Sequence, residues 1–347
     1  LADAIANSDD KKKITKENVI RQLIGREQQR IDARIIRRCN NHLRSNCSIT
    51  MVHAPNPTGE GRIECNTLEE MEAAIMAENI RRFWQASHTP FLQPPISDKV
   101  GPLGMGEGAE EILRTGRLTL NEGDPPLDEY TVKFIQQMKR PEGVPQLSLQ
   151  DIAITTEKHK KSWSRARENT ASGDPVLHFG HCIASTQDDE IAAFEATMRN
   201  IPYIPGYAPS RWKRGIDYEL LKQPGNFNVE KLRTILLMPC DFNDNNKMIG
   251  RQMMYHAEKH NLVAEEQYGS RKNRQASTQV VNIRLVLDGL RQTRTTGAIG
   301  SNDATSFYDR MAHHVAVICM RRFGFPAEPL VSMFTPLQDM KHYVRTI

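Results

Sequence analysis

Asn302-Asp303-Ala304-Thr305-Ser306-Phe307-Tyr308-Asp309-Arg310 sets two acids six residues apart around an aromatic pair, between a short apolar stretch and a helical pattern. An Asp at a strand end holds a divalent cation through its carboxylate oxygens, and the carbonyl of the next residue, Ala304, supplies another oxygen. The competing reading is an Asp that caps a helix. The order of features upstream separates the two.

Working back along the chain, the upstream stretches are Ala208-Pro-Ser-Arg-Trp212-Lys213, Leu221-Lys222-Gln-Pro-Gly225, Leu232-Arg233-Thr-Ile235-Leu-Leu237, Asn246-Lys247-Met-Ile-Gly-Arg251 and Glu266-Gln267-Tyr-Gly269-Ser-Arg271-Lys-Asn-Arg274-Gln-Ala-Ser277-Thr278. With Asp303 to Asp309 they make six blocks in sequence order, and together they resemble reverse transcriptases of the non-LTR retrotransposon and group II intron type over about residues 165–347. The resemblance implies an α+β right-hand polymerase, with fingers at 161–300 and the start of the palm at 301–347. A basic helical segment at 1–60 and a helical and loop region at 61–160 precede it, the latter of unknown role.

Carried over block by block, Asp303 looks like the first metal-binding aspartate, with Ala304 beside it as a carbonyl ligand. Tyr308 takes the place of the aromatic gate that clashes with a ribose 2′-hydroxyl, and Asp309 that of a structural second acid. Arg233, Arg271 and Arg274 match the nucleotide-binding cations of the fingers, with Lys222 and Lys247 as further basic candidates. Guanidinium groups suit a triphosphate because they bind phosphate bidentately. Taken singly, each of these cations reads equally as a solvated surface charge. The family implies two Mg2+ ions, an RNA template, a DNA primer and deoxynucleoside triphosphates.

Departures accompany the matches. Thr234 stands where the family has proline, and Ser270 where it has Phe. The aromatic-x-Asp-Asp hairpin that completes the carboxylate set is missing, as is the glycine-glutamine palm block; Asp9-Asp10 and Asp188-Asp189 both lie upstream of Asp303. The expectation is a chain that stops inside the palm, is inactive alone, and dissolves poorly because apolar surface is left uncovered.

The 347 residues are 39% hydrophobic and 25% charged, an ordinary globular composition. No apolar run reaches membrane-spanning length and no signal sequence is visible, so the expectation is an intracellular protein of cytoplasm or nucleus without a membrane partner. Net charge is only +4, but 11–44 carries eleven Lys or Arg against three acids, and 201–347 carries twenty against thirteen. Two basic regions flank an acidic middle, a distribution suited to phosphate contact.

Six cysteines without short paired spacings fit reduced thiols. Cys39-x2-His42-x4-Cys47 departs from zinc-knuckle spacing, and His256-Ala-Glu-Lys-His260 lacks a metalloprotease Glu beside its first His, so the latter reads as a solvated helix face. Gly104-Met-Gly106-Glu-Gly108-Ala109 follows prolines rather than a buried strand, which predicts a glycine-rich loop.

Periodicity and caps predict helices over about 11–44, 67–83, 127–138, 149–168, 188–199, 246–260, 275–292 and 310–323, with strands over 234–238 and 298–303. Residues 48–62 read as a linker and 88–128 as loop-dominated. Two other functions compete with a polymerase fragment. A noncatalytic nucleic-acid-binding remnant keeps the basic regions, whereas an unrelated helical scaffold predicts no strand pair at 233–238 and 298–303.

Overall fold

Capping chemistry sets the helix starts. In the computed structural model, which describes residues 21–23, 25–27, 29–30, 33, 49–83, 87–173, 177–303 and 307–345, α1 runs Leu68–Phe83. The Glu70 N–H donates to Thr67 Oγ1 at 3.3 Å and the Thr67 N–H returns to Glu70 Oε2 at 3.3 Å, the expected capping box. These bonds from Thr67 hold the Glu70 carboxyl below the usual carboxylate range. The expected helix over 11–44 lies largely outside the described residues; those described there are helical. Cys39, His42 and Cys47 also lie outside them.

Helix predominates over strand, 51% against 9%, in a mixed α and β chain. The described residues form two units, one from those up to 74 together with 219–234, the other from 75–218 and 235–345. In the first, β1 (Val52–Pro55) and β2 (Arg62–Cys65) pair antiparallel, with Val52 opposite Cys65 and Pro55 opposite Arg62. The linker expected at 48–62 is therefore corrected to a hairpin. Its Pro, Asn and Gly residues form the loop, which the Asn56 N–H closes by donating to Gly61 O at 3.1 Å, with Gly61 at φ +98°. Arg62 donates to Glu230 Oε2 at 3.0 Å, holding the Glu230 carboxyl below its usual range.

The second unit holds α2 (Ile96–Val100), α3 (Glu107–Thr115), α4 (Glu129–Gln137), α5 (Leu149–Ile152), α6 (Thr156–Trp163), α7 (Phe179–Ser185), α8 (Asp189–Asn200), α9 (Cys240–Lys259), α10 (Ala276–Thr293), α11 (His313–Arg322) and α12 (Ala327–Gln338). Asp128, Ser148 and Asp188 cap α4, α5 and α8 through their side chains, as the residue types imply. Two expectations are corrected here. Residues 88–128 contain α2 and α3, whose Ile96, Val100, Ile112 and Leu113 are buried with Ile135 and Ile318. Pro94 and Pro95, which suggested loop, stand at the start of α2, where a missing N–H costs nothing, and Pro102 follows its end.

The helix expected over 149–168 is two helices, because Asn200 pulls the intervening chain straight. Its Oδ1 accepts the Ile154 N–H at 2.8 Å and its Nδ2 donates to Ile154 O at 2.9 Å. The glycine run is a packing device as much as a loop: Gly104 has φ +63° and Gly106 caps α3. A Cβ on Gly104 would lie 2.6 Å from His314 O, and one on Gly106 would lie 2.4 Å from Lys99 O.

Strands β3 (Arg214–Leu221), β4 (Leu232–Leu237) and β5 (Lys341–Arg345) form one sheet in the order β4-β3-β5. β5 runs parallel to β3, from Arg214 opposite Lys341 to Tyr218 opposite Arg345. The strand predicted at 234–238 is present as β4. The one predicted at 298–303 is not: those residues are exposed and irregular after α10. Only Ala298 and Ile299 are apolar in that segment, too few to bury a strand face, and among the described residues the outer edge of β4 stays unpaired. A strand pair between 233–238 and 298–303 is thus missing, the outcome that the unrelated-scaffold reading predicts.

Candidate functional site

The block 266–278 folds around Arg271. This side chain is nearly buried; its Nε donates to Glu258 Oε1 at 3.1 Å, and Nη1 donates to Ala264 O at 2.8 Å and Gln267 O at 3.3 Å. Three acceptors make it a clamp that ties the loop to the end of α9, rather than a free phosphate ligand. Ser270 and Asn273 both have φ +61° in this loop, a conformation that short polar side chains tolerate better than bulky ones. A phenylalanine at 270 would strain this backbone, which gives Ser270 a local reason.

Arg274, three residues on, is exposed, with its guanidinium carbon 5.4 Å from the Tyr268 ring centroid. Asn282 of α10 donates to the Tyr268 hydroxyl at 2.8 Å and orients the ring. These groups line an open cleft of about 420 Å³ together with Glu265, Glu266 and Ile299. The volume suits a small ligand. Its chemistry is a cation over an aromatic face with two acids alongside; the acids oppose a bare triphosphate. Tyr268 and Asn282 were not legible as site residues, although a Tyr six positions before an Arg was the available signal.

Asp303 is exposed in the irregular segment, so its expected place at a strand end is corrected. Ala304 lies outside the described residues. Tyr308 begins a short 3-10 turn, is 86% exposed and meets Phe307 edge to face at 5.6 Å. No group of three or more His, Cys, Asp or Glu able to hold a metal occurs among the described residues. One exposed carboxylate does not fit a two-Mg2+ centre. Arg233 is exposed on β4, while the neighbouring Thr234 hydroxyl donates to buried Glu219 at 2.8 and 3.0 Å, a bond that proline could not make. Lys222 and Lys247 are exposed.

The solvated reading of the His256 and His260 pair needs correction at one position. His256 is buried, its ring 4.6 Å from that of His260, and burial followed by the His260 charge pushes its pKa down.

A larger polar cluster is interior. Arg199 of α8 donates to Asp244 Oδ2 and Asn245 Oδ1 of α9, both at 2.7 Å, and to His159 Nδ1 of α6 at 3.2 Å. Arginine only donates, so His159 must accept at Nδ1 and carry its proton on Nε2, 3.3 Å from Ser185 Oγ. Burial first, then the Arg199 cation, lowers the His159 pKa from 6.5 to about 4. The folded value lies below the unfolded one, so the stabilisation is complete above about pH 6.5 and is lost as pH falls toward 4. The loss reaches at most about 3 kcal/mol. Denaturant titrations from pH 7 to 5 should show this slope, and His159→Gln should flatten it; a wild-type slope retained in the variant would refute the assignment. His159 and Ser185 form no hydrolytic triad, because a guanidinium occupies the position that a carboxylate would need to hold.

No helix among the described residues is long and apolar enough to cross a membrane. No protein-family model matches the chain, and no curated protein matches it.

Proposed function

We propose that this chain carries the fingers and first palm block of a retroelement reverse transcriptase, an RNA-directed DNA polymerase, and that residues 1–347 alone do not polymerise. The observation that carries the reading is the order of the six blocks from Ala208 to Asp309. In support, Arg274 is exposed, and Asp303 and Tyr308 stand exposed five residues apart. Arg271 contributes by shaping the loop that presents Arg274. RNA template, DNA primer and deoxynucleoside triphosphates are the partners on this reading. A polymerase that also has the glycine-glutamine and aromatic-x-Asp-Asp blocks would complete the Mg2+ centre, to which residues 1–347 supply Asp303.

A noncatalytic nucleic-acid-binding role is the second reading, favoured by the isolated, exposed Asp303. Primer extension separates the two. The expected result is no Mg2+-dependent product from residues 1–347, and product from a reading frame that continues into both further blocks, lost in Asp303→Ala. Extension by residues 1–347 alone would overturn the inactivity. A stop codon soon after Ile347, with nucleic-acid binding retained, would favour the noncatalytic role.

A further inference from the structure

Cys182 of α7 and Cys240, the first residue of α9, come from distant parts of the chain and meet in one buried pocket. Their sulfurs lie 3.9 Å apart, packed with Trp163, Leu177 and Phe179. Cys182 is 7% exposed and Cys240 0%. Neither is needed by the proposed polymerase chemistry, and both are free thiols. We infer that this pair is an oxidative modification site, at which hydrogen peroxide converts the two thiols to an intramolecular disulfide.

The two sulfurs differ in chemistry. The Cys182 thiol is pushed up, chiefly by its hydrogen bond to Cys240 and then by burial; Cys240 is lowered by the same bond, so Cys240 ionises first. Cys240 also opens a 20-residue helix, whose N-terminal dipole favours a thiolate. Among the described residues Cys65 and Cys319 have no such neighbour, and burial pushes both thiols up.

The reaction balances in two displacements. The Cys240 thiolate attacks one peroxide oxygen and breaks the O–O bond; the departing hydroxide takes a proton and leaves as water, with Cys240 as sulfenic acid. Cys182 then attacks the Cys240 sulfur and loses its proton, forming the S–S bond and releasing the sulfenic oxygen as a second water. The two sulfurs give up two electrons and peroxide accepts them. Forming the disulfide closes the 3.9 Å sulfur gap to ~2.0 Å. Hydrogen peroxide is about the size of two waters, each of ~30 Å³ in the liquid, and reaches this buried pair through local opening of the fold.

The experiment treats the full chain with hydrogen peroxide, removes the oxidant, alkylates the remaining thiols in denaturant, digests without reductant and maps peptides by mass spectrometry. A Cys182–Cys240 cross-linked peptide that dithiothreitol reverses is expected, with the folded thermal midpoint raised. In Cys182→Ser the reaction should stop at a sulfenic acid on Cys240, trapped by dimedone once the chain is unfolded in denaturant, whereas Cys319→Ser should leave the cross-link unchanged. Recovery of both cysteines as alkylated thiols, or cross-linking only to other cysteines, would overturn the inference and leave two core thiols in contact. The wild-type peptide map decides the matter even if a serine variant fails to fold.

Discussion

Arg199→Ala is expected to cost about 3–5 kcal/mol of stability, the usual range for removing one partner of a buried ion pair. The substitution strands Asp244 without its cation in the interior and frees Asn245 Oδ1 and His159 Nδ1. It also removes the guanidinium that lies 5.4 Å from the Trp163 ring centroid. Because these partners come from α6 and α9, one side chain of α8 sets how three helices meet. Arg199→Lys should recover little, since a point charge cannot serve the same fork of acceptors. Replacing Arg199 and Asp244 together with Met and Leu should recover much of the loss, because an apolar pair carries no desolvation penalty. Chemical denaturation at pH 7 checks all three, and an Arg199→Ala cost below about 1 kcal/mol would mean that the cluster is solvated.

Binding of the full chain to primer–template is expected to weaken by roughly a thousandfold between about 50 and 200 mM salt, as for a protein that contacts some six phosphates. The warrant is distribution: net +8 over 11–44 and net +7 over 201–347 within a chain of net +4. Arg274→Ala should lower the slope by about one phosphate, whereas loss of Arg271 should act through the fold of its loop. Affinity that is flat across this salt range would remove both nucleic-acid readings together and leave the unrelated scaffold.

Helix starts were legible because a cap is a local contract between one side chain and the next turn. Asp128, Ser148 and Asp188 all do what their residue type implies. β3 was illegible for the opposite reason. Its buried face carries Gly215, Asp217 and Glu219, so the apolar alternation that marks a half-buried strand is inverted. Asp217 is tolerated inside because Asn79 Nδ2 donates to it at 3.0 Å and His342 Nδ1 lies 3.1 Å away, partners remote in sequence. The same remoteness hid the break that Asn200 imposes between α5 and α6. At the candidate site, residue types were readable but their duties were not: Arg271 and Arg274 look alike in sequence, and only the fold commits one to a clamp and leaves the other open.

Helix α10 has no buried residue among those described, and Val280 and Leu285 are 65% and 64% exposed. Its 18 residues are close to the length at which an isolated helix is marginal in water. Among the described residues, little but its own backbone ladder, its Arg284–Asp288 and Arg291–Asp288 pairs and the Asn282–Tyr268 bond holds it, so it belongs to the low-stability end of the fold. Amide hydrogens there should exchange long before those of α9, and a protease should nick the chain within 276–303 first. Whatever covers this helix would show itself as protection acquired there.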